Sequence, residues 1–224
     1  MIERHAALAR LDALRLHLVT DSALCGERGL LAVVEAAVRG GVSCVQLREK
    51  TLGTRAFVER ARALKASLKL HGVPLIINDR VDVALACGAD GIHVGQGDMA
   101  PADVRRLLPG ALLGLSIETL EQLEQAELEA VDYYGISPVF STATKTDAAA
   151  AVGLEGLRVM RAHTRRPLVA IGGIAPGNAQ AVMAAGADGL AVVSALCMAP
   201  DPAEVARCLA RQLHAGLRER AANA

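Results

Sequence analysis

The feature that most limits how this chain can fold is a repeated alternation between short apolar runs and stretches with helical spacing. An apolar run of strand length followed by a helix is the unit from which parallel sheets are built. Helical spacing is clearest over residues 30–39, 56–70, 120–130 and 179–185. The strands that we predict cover residues 16–20, 43–47, 74–78, 91–95, 111–116, 132–137, 167–172 and 189–194.

Eight such units fit a chain of 224 residues as a closed (β/α)8 TIM barrel with little insertion. Residues 87–95 and 185–193 share Gly-Ala-Asp-Gly leading into an apolar strand, and 40–47 is a looser version. No linker, low-complexity block or run of one charge divides the sequence. We therefore predict one α/β domain, 1–224, with the barrel over about 16–214, a short N-terminal helix and a loose C-terminal tail.

The composition narrows the classes of partner. Hydrophobic residues make up 52% of the chain, and 24 basic residues balance 24 acidic ones, so the basic excess of a duplex or RNA binder is missing. Trp is absent and Tyr and Phe occur twice each, too few for the aromatic platforms of a single-strand binder. We expect no nucleic-acid partner.

The cysteines, the apolar runs and the N-terminal sequence predict where the protein works. Five cysteines are scattered without a CxxC pair, which argues against a zinc site or a disulfide framework and for a reducing compartment. The apolar runs are shorter than a membrane span, and the N-terminal sequence is charged throughout, unlike a signal peptide. We expect a cytoplasmic protein that does not bind membranes, and the sequence leaves a homo-oligomer open.

Polar residues directly follow the predicted strands. In a barrel of this kind the residues just past the C-terminal end of each strand meet at one mouth. Cations, carboxylates, hydroxyls and glycine amides collect there, which together suit a phosphorylated substrate and a metal ion. The residues at these strand ends are Gln46, Arg48, Lys50, Asn78, Asp79, Gln96, Asp98, Ser116, 141–145, Gly172, Gly173 and Ser194.

Asp79 and Asp98 are the candidate metal ligands. Each could instead begin a helix, Asp79 as the cap of the helix that follows it and Asp98 ahead of Pro101. Neighbouring parallel strands lie about 4.8 Å apart, so carboxylates at the ends of strands three and four can share one hard cation. Mg²⁺ takes one or two carboxylates and completes its shell with phosphate oxygens and water. The pair therefore favours a Mg²⁺ site over two helix caps.

Ser116 and the last two strands carry the phosphate prediction. Residues 119–122 form a capping box for the next helix, so Ser116 is not needed as a cap, which favours a ligand role. Gly172-Gly173 and Ser194 follow strands seven and eight, where barrels commonly hold a phosphate on backbone amides. A tight turn is the plainer alternative for the two glycines alone.

Two further features have a plain and a functional interpretation. Residues 142–145 offer two hydroxyls and a cation for a ligand, and the plainer alternative is a solvated turn. The alanine run that follows, bounded by Gly153, has the length of a lid. We expect His93 to lie in the barrel wall in a packed, hydrogen-bonded role rather than a catalytic one.

Five segments make the chain similar to a known family. QLREK (46–50), INDRVDVALACGADGIHVGQGD (77–98), SPVFSTATK (137–145), AIGGI (170–174) and AVVSA (191–195) resemble the thiamine-phosphate synthase family, in order, between 16 and 196. The resemblance implies a Mg²⁺-dependent transferase of thiamine biosynthesis. In the implied reaction a hydroxymethylpyrimidine diphosphate loses diphosphate and is joined to the nitrogen of a thiazole phosphate, through a pyrimidine carbocation. A protein nucleophile is not needed, and the sequence shows no nucleophile elbow.

The resemblance also implies roles for individual residues. Asp79 and Asp98 match magnesium ligands. The residues that match catalytic ones are Arg48, Lys50, Ser116 and Lys145. The pyrimidine diphosphate would be bound by Gln46, Leu47, Arg48, Glu49, Lys50 and Asn78, with Ser116 and Lys145 as further diphosphate contacts. The thiazole phosphate would be bound by Thr142, Ala143, Thr144, Gly173, Val193 and Ser194.

The sequence also departs from the family pattern, and two alternatives stay open. Ser137 stands where the family usually has Gly before Pro, Ser141 where Pro is usual, and alanines at 148–151 replace a stretch richer in proline. A thiazole tautomerase-like paralogue shares the barrel and AIGGI but has no diphosphate to explain QLREK or Asp98. A non-catalytic ligand-binding barrel of the thiamine pathway would need the phosphate-binding strands, but neither the carboxylate pair nor Lys50.

Overall fold

The computed structural model of the chain describes residues 12–126, 128–141 and 150–223. They form a closed barrel of eight parallel strands, in which each strand pairs with the next and β8 pairs with β1. All eight predicted strands are present within one or two residues of their predicted ends, and the predicted (β/α)8 fold is confirmed. The strands are β1 Leu16–Val19, β2 Cys44–Leu47, β3 Leu75–Asn78, β4 Gly91–Val94, β5 Leu112–Ile117, β6 Tyr133–Ile136, β7 Leu168–Ile171 and β8 Gly189–Val192.

Helices connect successive strands and cover the outside of the barrel. A 3-10 turn, Gly26–Arg28, follows β1. The helix predicted over 120–130 is shorter than expected, because the chain turns where the Glu129 amide donates to the Ala126 carbonyl. The helices are α1 Leu30–Arg39, α2 Thr54–Lys69, α3 Val81–Cys87, α4 Pro101–Leu107, α5 Leu120–Ala126, α6 Gly153–His163, α7 Ala179–Ala184, α8 Ser194–Cys197 and α9 Pro202–Ala222.

Local sequence explains where helices begin. Asp201 precedes α9, and its carboxylate accepts from the Ala203 and Glu204 amides, with Pro202 as the first helical residue. Before α5, the Gln122 amide donates to Thr119 Oγ1 at 3.2 Å, and Gln122 Oε1 accepts from the Glu118 amide at 2.7 Å. The capping interaction predicted for 119–122 is therefore present.

Strand residues alternate between two buried layers. Side chains that point outward, such as Leu18, Val45 and Ile77, pack against the helices in the main core. Side chains that point inward fill the barrel. Its N-terminal end is closed by an apolar cluster that includes Leu14, Cys44, Ile76 and Leu112. The other end is open, which leaves room for a site.

Two further predictions concern thiols and membranes. All five cysteines are free, and Cys25, Cys44 and Cys197 are buried, as expected of small apolar core residues. Within the described segments, none of the helices combines the length and the apolar character that crossing a bilayer requires.

Candidate active site

A cavity of about 510 Å³ opens at the C-terminal ends of the strands. Inward-pointing residues near the end of each strand line it, as expected of the mouth of such a barrel. Most of the site residues predicted from the sequence lie in its wall: Gln46, Arg48, Lys50, Asn78, Asp79, Asp98, Ser116, Gly173, Val193 and Ser194.

Leu47 and Glu49, also predicted to bind substrate, are not among the residues that line the cavity, and their predicted role stays a prediction. The alternation of an extended strand continues past the end of β2, so Gln46, Arg48 and Lys50 line the cavity, while the two residues between them do not. Leu47 is fully buried in the core between the strands and the helices.

Glu49 instead joins three parts of the structure. Its side chain is only 5% exposed, and its Oε1 accepts from Ser22 Oγ and from Arg60 Nη1 of α2, each at 2.5 Å. Arg60 Nη1 also donates to Ser22 Oγ at 2.8 Å. The end of β2 is thereby tied to the segment after β1 and to a helix of the outer layer.

The two cations that follow β2 are also held by neighbouring residues. The Arg48 amide donates to the hydroxyl of the buried Thr20 at 3.0 Å, and the Arg48 guanidinium lies 3.8 Å from Asp21. Lys50 Nζ lies 2.7 Å from Asp79 Oδ2. Both positive groups are therefore available at the cavity wall, and Lys50 is already next to a candidate metal ligand.

Neither candidate metal ligand serves as a helix cap. The α3 and α4 N-termini have no side-chain cap, and Asp98 Oδ2 accepts from the Gly95 amide at 2.8 Å. Asp79 is the only non-glycine residue with a positive φ (63°) in the described ranges, a conformation that Asp tolerates better than most residues and that is common at functional sites. Its backbone is held there by the bond from its amide to the His93 carbonyl, at 2.8 Å.

The two carboxylates are close enough to affect each other. Burial raises the pKa of Asp98, and the adjacent Asp79 carboxylate raises it further, against the lowering effect of the Gly95 amide. Two carboxylates that repel each other at one edge of a cavity form an oxygen donor set that suits a hard cation such as Mg²⁺. In the described part of the chain no third Asp, Glu, His or Cys completes a metal-binding cluster with them. The rest of a Mg²⁺ shell would therefore come from substrate oxygens and water.

Ser116, on β5, belongs to a hydrogen-bonded chain inside the barrel. Its Oγ lies 2.9 Å from His93 Nε2, and His93 Nδ1 lies 3.0 Å from the hydroxyl of Tyr133 on β6. Burial lowers the pKa of His93 to about 4. His93 is thus packed and hydrogen-bonded, as expected, and it also faces the cavity.

The opposite side of the cavity is made of backbone. Gly172 and Gly173, after β7, have φ of 103° and 64°, and a Cβ added to either would lie within 2.8 Å of Pro138 or Phe140. The four-residue helix α8 begins at Ser194, and the first amides of a helix have no partner within it. Loops after strands seven and eight, together with a short extra helix, are the usual phosphate site of this fold.

Arg28 braces this backbone from behind. It donates to the carbonyl oxygens of Cys197 at 2.9 Å and Pro200 at 3.4 Å, and to that of Ala199. These carbonyls lie at and just beyond the C-terminal end of α8, so the helix is fixed by the end that faces away from the cavity.

Sequence reasoning missed several residues in the cavity wall, including His17, Tyr133, Ser137 and Glu118. His17 is fully buried, and neither of its ring nitrogens has a hydrogen-bond partner among the described residues. Burial, followed by the nearby His93, lowers its pKa to about 3. Strand alternation is the signal that could have found them. His17 lies two residues before Val19, and Tyr133 two residues before Gly135, and both of those residues also line the cavity.

Part of the prediction lies outside the described residues. Thr142, Ala143, Thr144 and Lys145, with the first half of the alanine run interpreted as a lid, fall in 142–149. Their predicted roles stay predictions.

The fold and the site define a (β/α)8 barrel with a charged, carboxylate-bearing cavity at the C-terminal ends of its strands. Comparison with known proteins specifies it further, because the family model for thiamine monophosphate synthase matches residues 16–196. The chain belongs to that family, and the resemblance drawn from the sequence is confirmed.

Individual relatives cover nearly the whole chain. A thiamine-phosphate synthase from Albidiferax ferrireducens is 60% identical over 205 residues, which are 91% of this chain and 93% of that protein. Another from Azorhizobium caulinodans is 54% identical over 197 residues, 88% of this chain and 93% of its own. The solved structure of a thiamine phosphate pyrophosphorylase from Pyrococcus furiosus has a TM-score of 0.86 at 35% identity, covering 93% of this chain and 99% of its own.

Proposed function

We propose that this protein condenses 4-amino-2-methyl-5-(diphosphomethyl)pyrimidine with a thiazole phosphate to give thiamine phosphate and diphosphate. It would do so as a Mg²⁺-dependent transferase. The observation that carries this proposal is the placement of Lys50, Asp79 and Asp98 together at one wall of the cavity, with Lys50 Nζ 2.7 Å from Asp79. Cations beside a carboxylate pair suit a diphosphate that arrives with a divalent metal.

The leaving diphosphate explains the chemistry of this wall. Breaking the carbon–oxygen bond to diphosphate builds negative charge on the leaving group, which fixed donors stabilise most when they are already in place. Arg48, Lys50 and the Ser116 hydroxyl would supply positive charge and hydrogen bonds to that group. Loss of one such donor typically lowers the rate by about 100-fold or more.

Asp79 and Asp98 would hold the magnesium ion. When bound, Mg²⁺ would neutralise charge on the diphosphate oxygens that complete its shell. Gln46 and Asn78, which lie beside these residues in the wall, would contact the pyrimidine diphosphate.

The second substrate would bind on the backbone side. Gly173 and the amides at the start of α8 would hold the thiazole phosphate, with Val193 and Ser194 beside it. The contacts that the family resemblance implies for Thr142 to Thr144 and Lys145 stay predictions. A cytoplasmic location and a homo-oligomeric assembly also stay predictions.

The alternatives explain fewer residues. A thiazole tautomerase or a non-catalytic barrel would use the glycine side of the cavity, but neither gives a reason for the cations after β2 or for the carboxylate pair.

One assay tests the proposal directly. The purified protein is incubated with both substrates, and thiamine phosphate and diphosphate are measured with Mg²⁺ and with excess chelator. We expect turnover only with Mg²⁺, and we expect Asp98→Asn to raise the Mg²⁺ concentration for half-maximal rate by about 100-fold or more. Full activity in chelator would contradict the metal site, and failure to form product with Mg²⁺ would contradict the function.

A further inference from the structure

We propose that Tyr133 and His93 are positioning residues that fix the Ser116 hydroxyl with its proton pointing into the cavity, as a donor to the leaving diphosphate. The identity of that acceptor rests on the proposed function. The orientation of the proton does not, because it follows from hydrogen-bond partners inside the barrel.

The argument begins at the buried end of the chain of hydrogen bonds. Tyr133 is 1% exposed, and within the described ranges its hydroxyl has a single hydrogen-bond partner, His93 Nδ1. A buried hydroxyl whose proton has no acceptor keeps the full cost of its desolvation. The Tyr133 proton is therefore directed at Nδ1, which must accept it.

The tautomer of His93 then follows. A neutral imidazole carries one proton, so if Nδ1 accepts, Nε2 carries the proton and donates. The partner of Nε2 is Ser116 Oγ, at 2.9 Å. The serine oxygen accepts this bond, and its own proton is left to point elsewhere, toward the cavity that Ser116 lines.

Both groups keep the required protonation state. Both side chains are buried inside the barrel, 8% and 1% exposed, and burial favours the uncharged form of each, so the imidazole is neutral and the phenol keeps its proton. The reverse orientation would have Ser116 donate to Nε2 and would leave the tyrosine proton without an acceptor. Ser116 would then face a diphosphate with lone pairs instead of a proton.

Two glycines make room for this arrangement. The strand positions that face the rings are Gly114 and Gly135, and a Cβ added at Gly114 would overlap both Tyr133 and the His93 ring. A Cβ at Gly135 would lie 2.8 Å from His93 Cε1. The barrel interior is therefore shaped around the pair.

The tautomer can be read without any substrate. The protein is labelled with ¹⁵N-histidine, and two-bond proton–nitrogen correlations show which ring nitrogen of His93 is protonated, with His93→Gln used to assign the signals. We expect the proton on Nε2. A proton on Nδ1 in the wild-type protein would overturn the proposal.

A pair of adjacent tyrosines gives a matched test in catalysis. Tyr133→Phe should lower kcat by about tenfold, the lower end of what removing a supporting partner costs, and should leave both KM values unchanged. Its His93 signal should also move toward the Nδ1-protonated form. Tyr134→Phe is the control, since that buried hydroxyl donates to the Ala126 carbonyl at 2.8 Å on the helix side of the strand.

Four outcomes separate the possibilities. Equal kcat for Tyr133→Phe and wild type contradicts a positioning role, and equal losses in both tyrosine variants indicate packing alone. In a Ser116→Ala background, Tyr133→Phe should have no further effect if it acts through the serine. If the wild-type protein forms no product, the proposed function fails, and the tautomer alone decides the orientation of the Ser116 proton.

Discussion

The two sides of the cavity are built from different chemical groups. On the β2–β5 side, charged side chains line the wall, and both cations have a carboxylate partner, Arg48 at 3.8 Å from Asp21 and Lys50 at 2.7 Å from Asp79. On the β7–β8 side, the wall is glycine backbone and the first turn of a short helix. A diphosphate with a metal ion carries more charge than backbone amides balance, whereas a monophosphate fits a ring of amides. The difference predicts that the two ends tolerate different substitutions.

The largest effect is expected at the backbone end. Gly173→Ala should raise the KM for the thiazole phosphate by about tenfold or more. A side chain at φ 64° is strained and meets Phe140, and a strain of about 1.4 kcal/mol corresponds to a tenfold change in binding. Gly173→Asp, which adds a carboxylate, should weaken binding further. The KM for the pyrimidine diphosphate should stay within about twofold.

Gly177→Ala is the matched control for this change. It lies on the same connection, its φ is not positive, and a Cβ there meets nothing within 4 Å. If the two alanine variants have the same thiazole KM by steady-state kinetics, Gly173 does not shape the phosphate site.

A smaller effect is expected at the side-chain end. Arg60→Ala removes the cation that faces Glu49, which leaves a nearly buried carboxylate between Arg48 and Lys50, the two cations that we propose for the diphosphate. We expect kcat/KM for the pyrimidine diphosphate to fall about fivefold, which is about 1 kcal/mol. The KM for the thiazole phosphate should not change.

Arg62→Ala, on the same helix, serves as the comparison variant, since the Arg62 side chain donates to the Ala86 carbonyl at the surface. Glu49→Gln in the Arg60→Ala background should recover part of the loss by removing the unpaired charge. Equal losses for both substrates would mean that Arg60 supports the fold and not one end of the site.

The smallest effect on activity is expected at His17, which lines the cavity on the strand between its two sides. His17, on a strand that pairs with both β2 and β8, is neutral in the folded protein, with its pKa lowered from 6.5 to about 3 by burial. Only the unfolded chain takes up a proton between these values, so stability falls as pH falls below 6.5, by about 1.4 kcal/mol per pH unit for this group.

The check is urea unfolding at pH 7 and pH 5.5. His17→Phe, which keeps a ring against Tyr133, should lose about 1 kcal/mol less than wild type over this range. An unchanged pH dependence would show that other groups dominate acid unfolding.

Sequence predicted the fold almost completely, and the site in part, for a physical reason. Continuous apolar runs indicate strands that are buried on both faces, and helical spacing indicates helices that are buried on one, so the eight strands and the order of the barrel could be predicted. The charges after β2 were also accessible, because a strand end in this fold points to the mouth. The contacts of each side chain at a strand end could not be predicted in the same way. Glu49 lies between two ligand candidates in the sequence, but its carboxylate bonds Ser22 and Arg60.

The interior polar residues were missed for a related reason. His17 and Tyr133 lie within apolar runs, and a buried residue inside a strand looks the same from composition whether it packs or faces a cavity. The hydrogen bonds from Tyr133 to His93 and from His93 to Ser116 join different strands, so they can be seen only in the three-dimensional structure.

The alternation of residues 46–50 also limits how this protein can change in length. Deleting or inserting one residue in this segment would exchange the two sides of the strand, which would turn Glu49 into the cavity and Arg48 and Lys50 toward the helices. The loss or gain of one residue would then replace two cations in the cavity wall with a carboxylate, although none of these three residues had itself been substituted. Past Lys50, where residues 51–53 form the turn into α2, the chain has no such alternation to preserve. Variation in length among functional homologues should therefore begin after Lys50 and not before it.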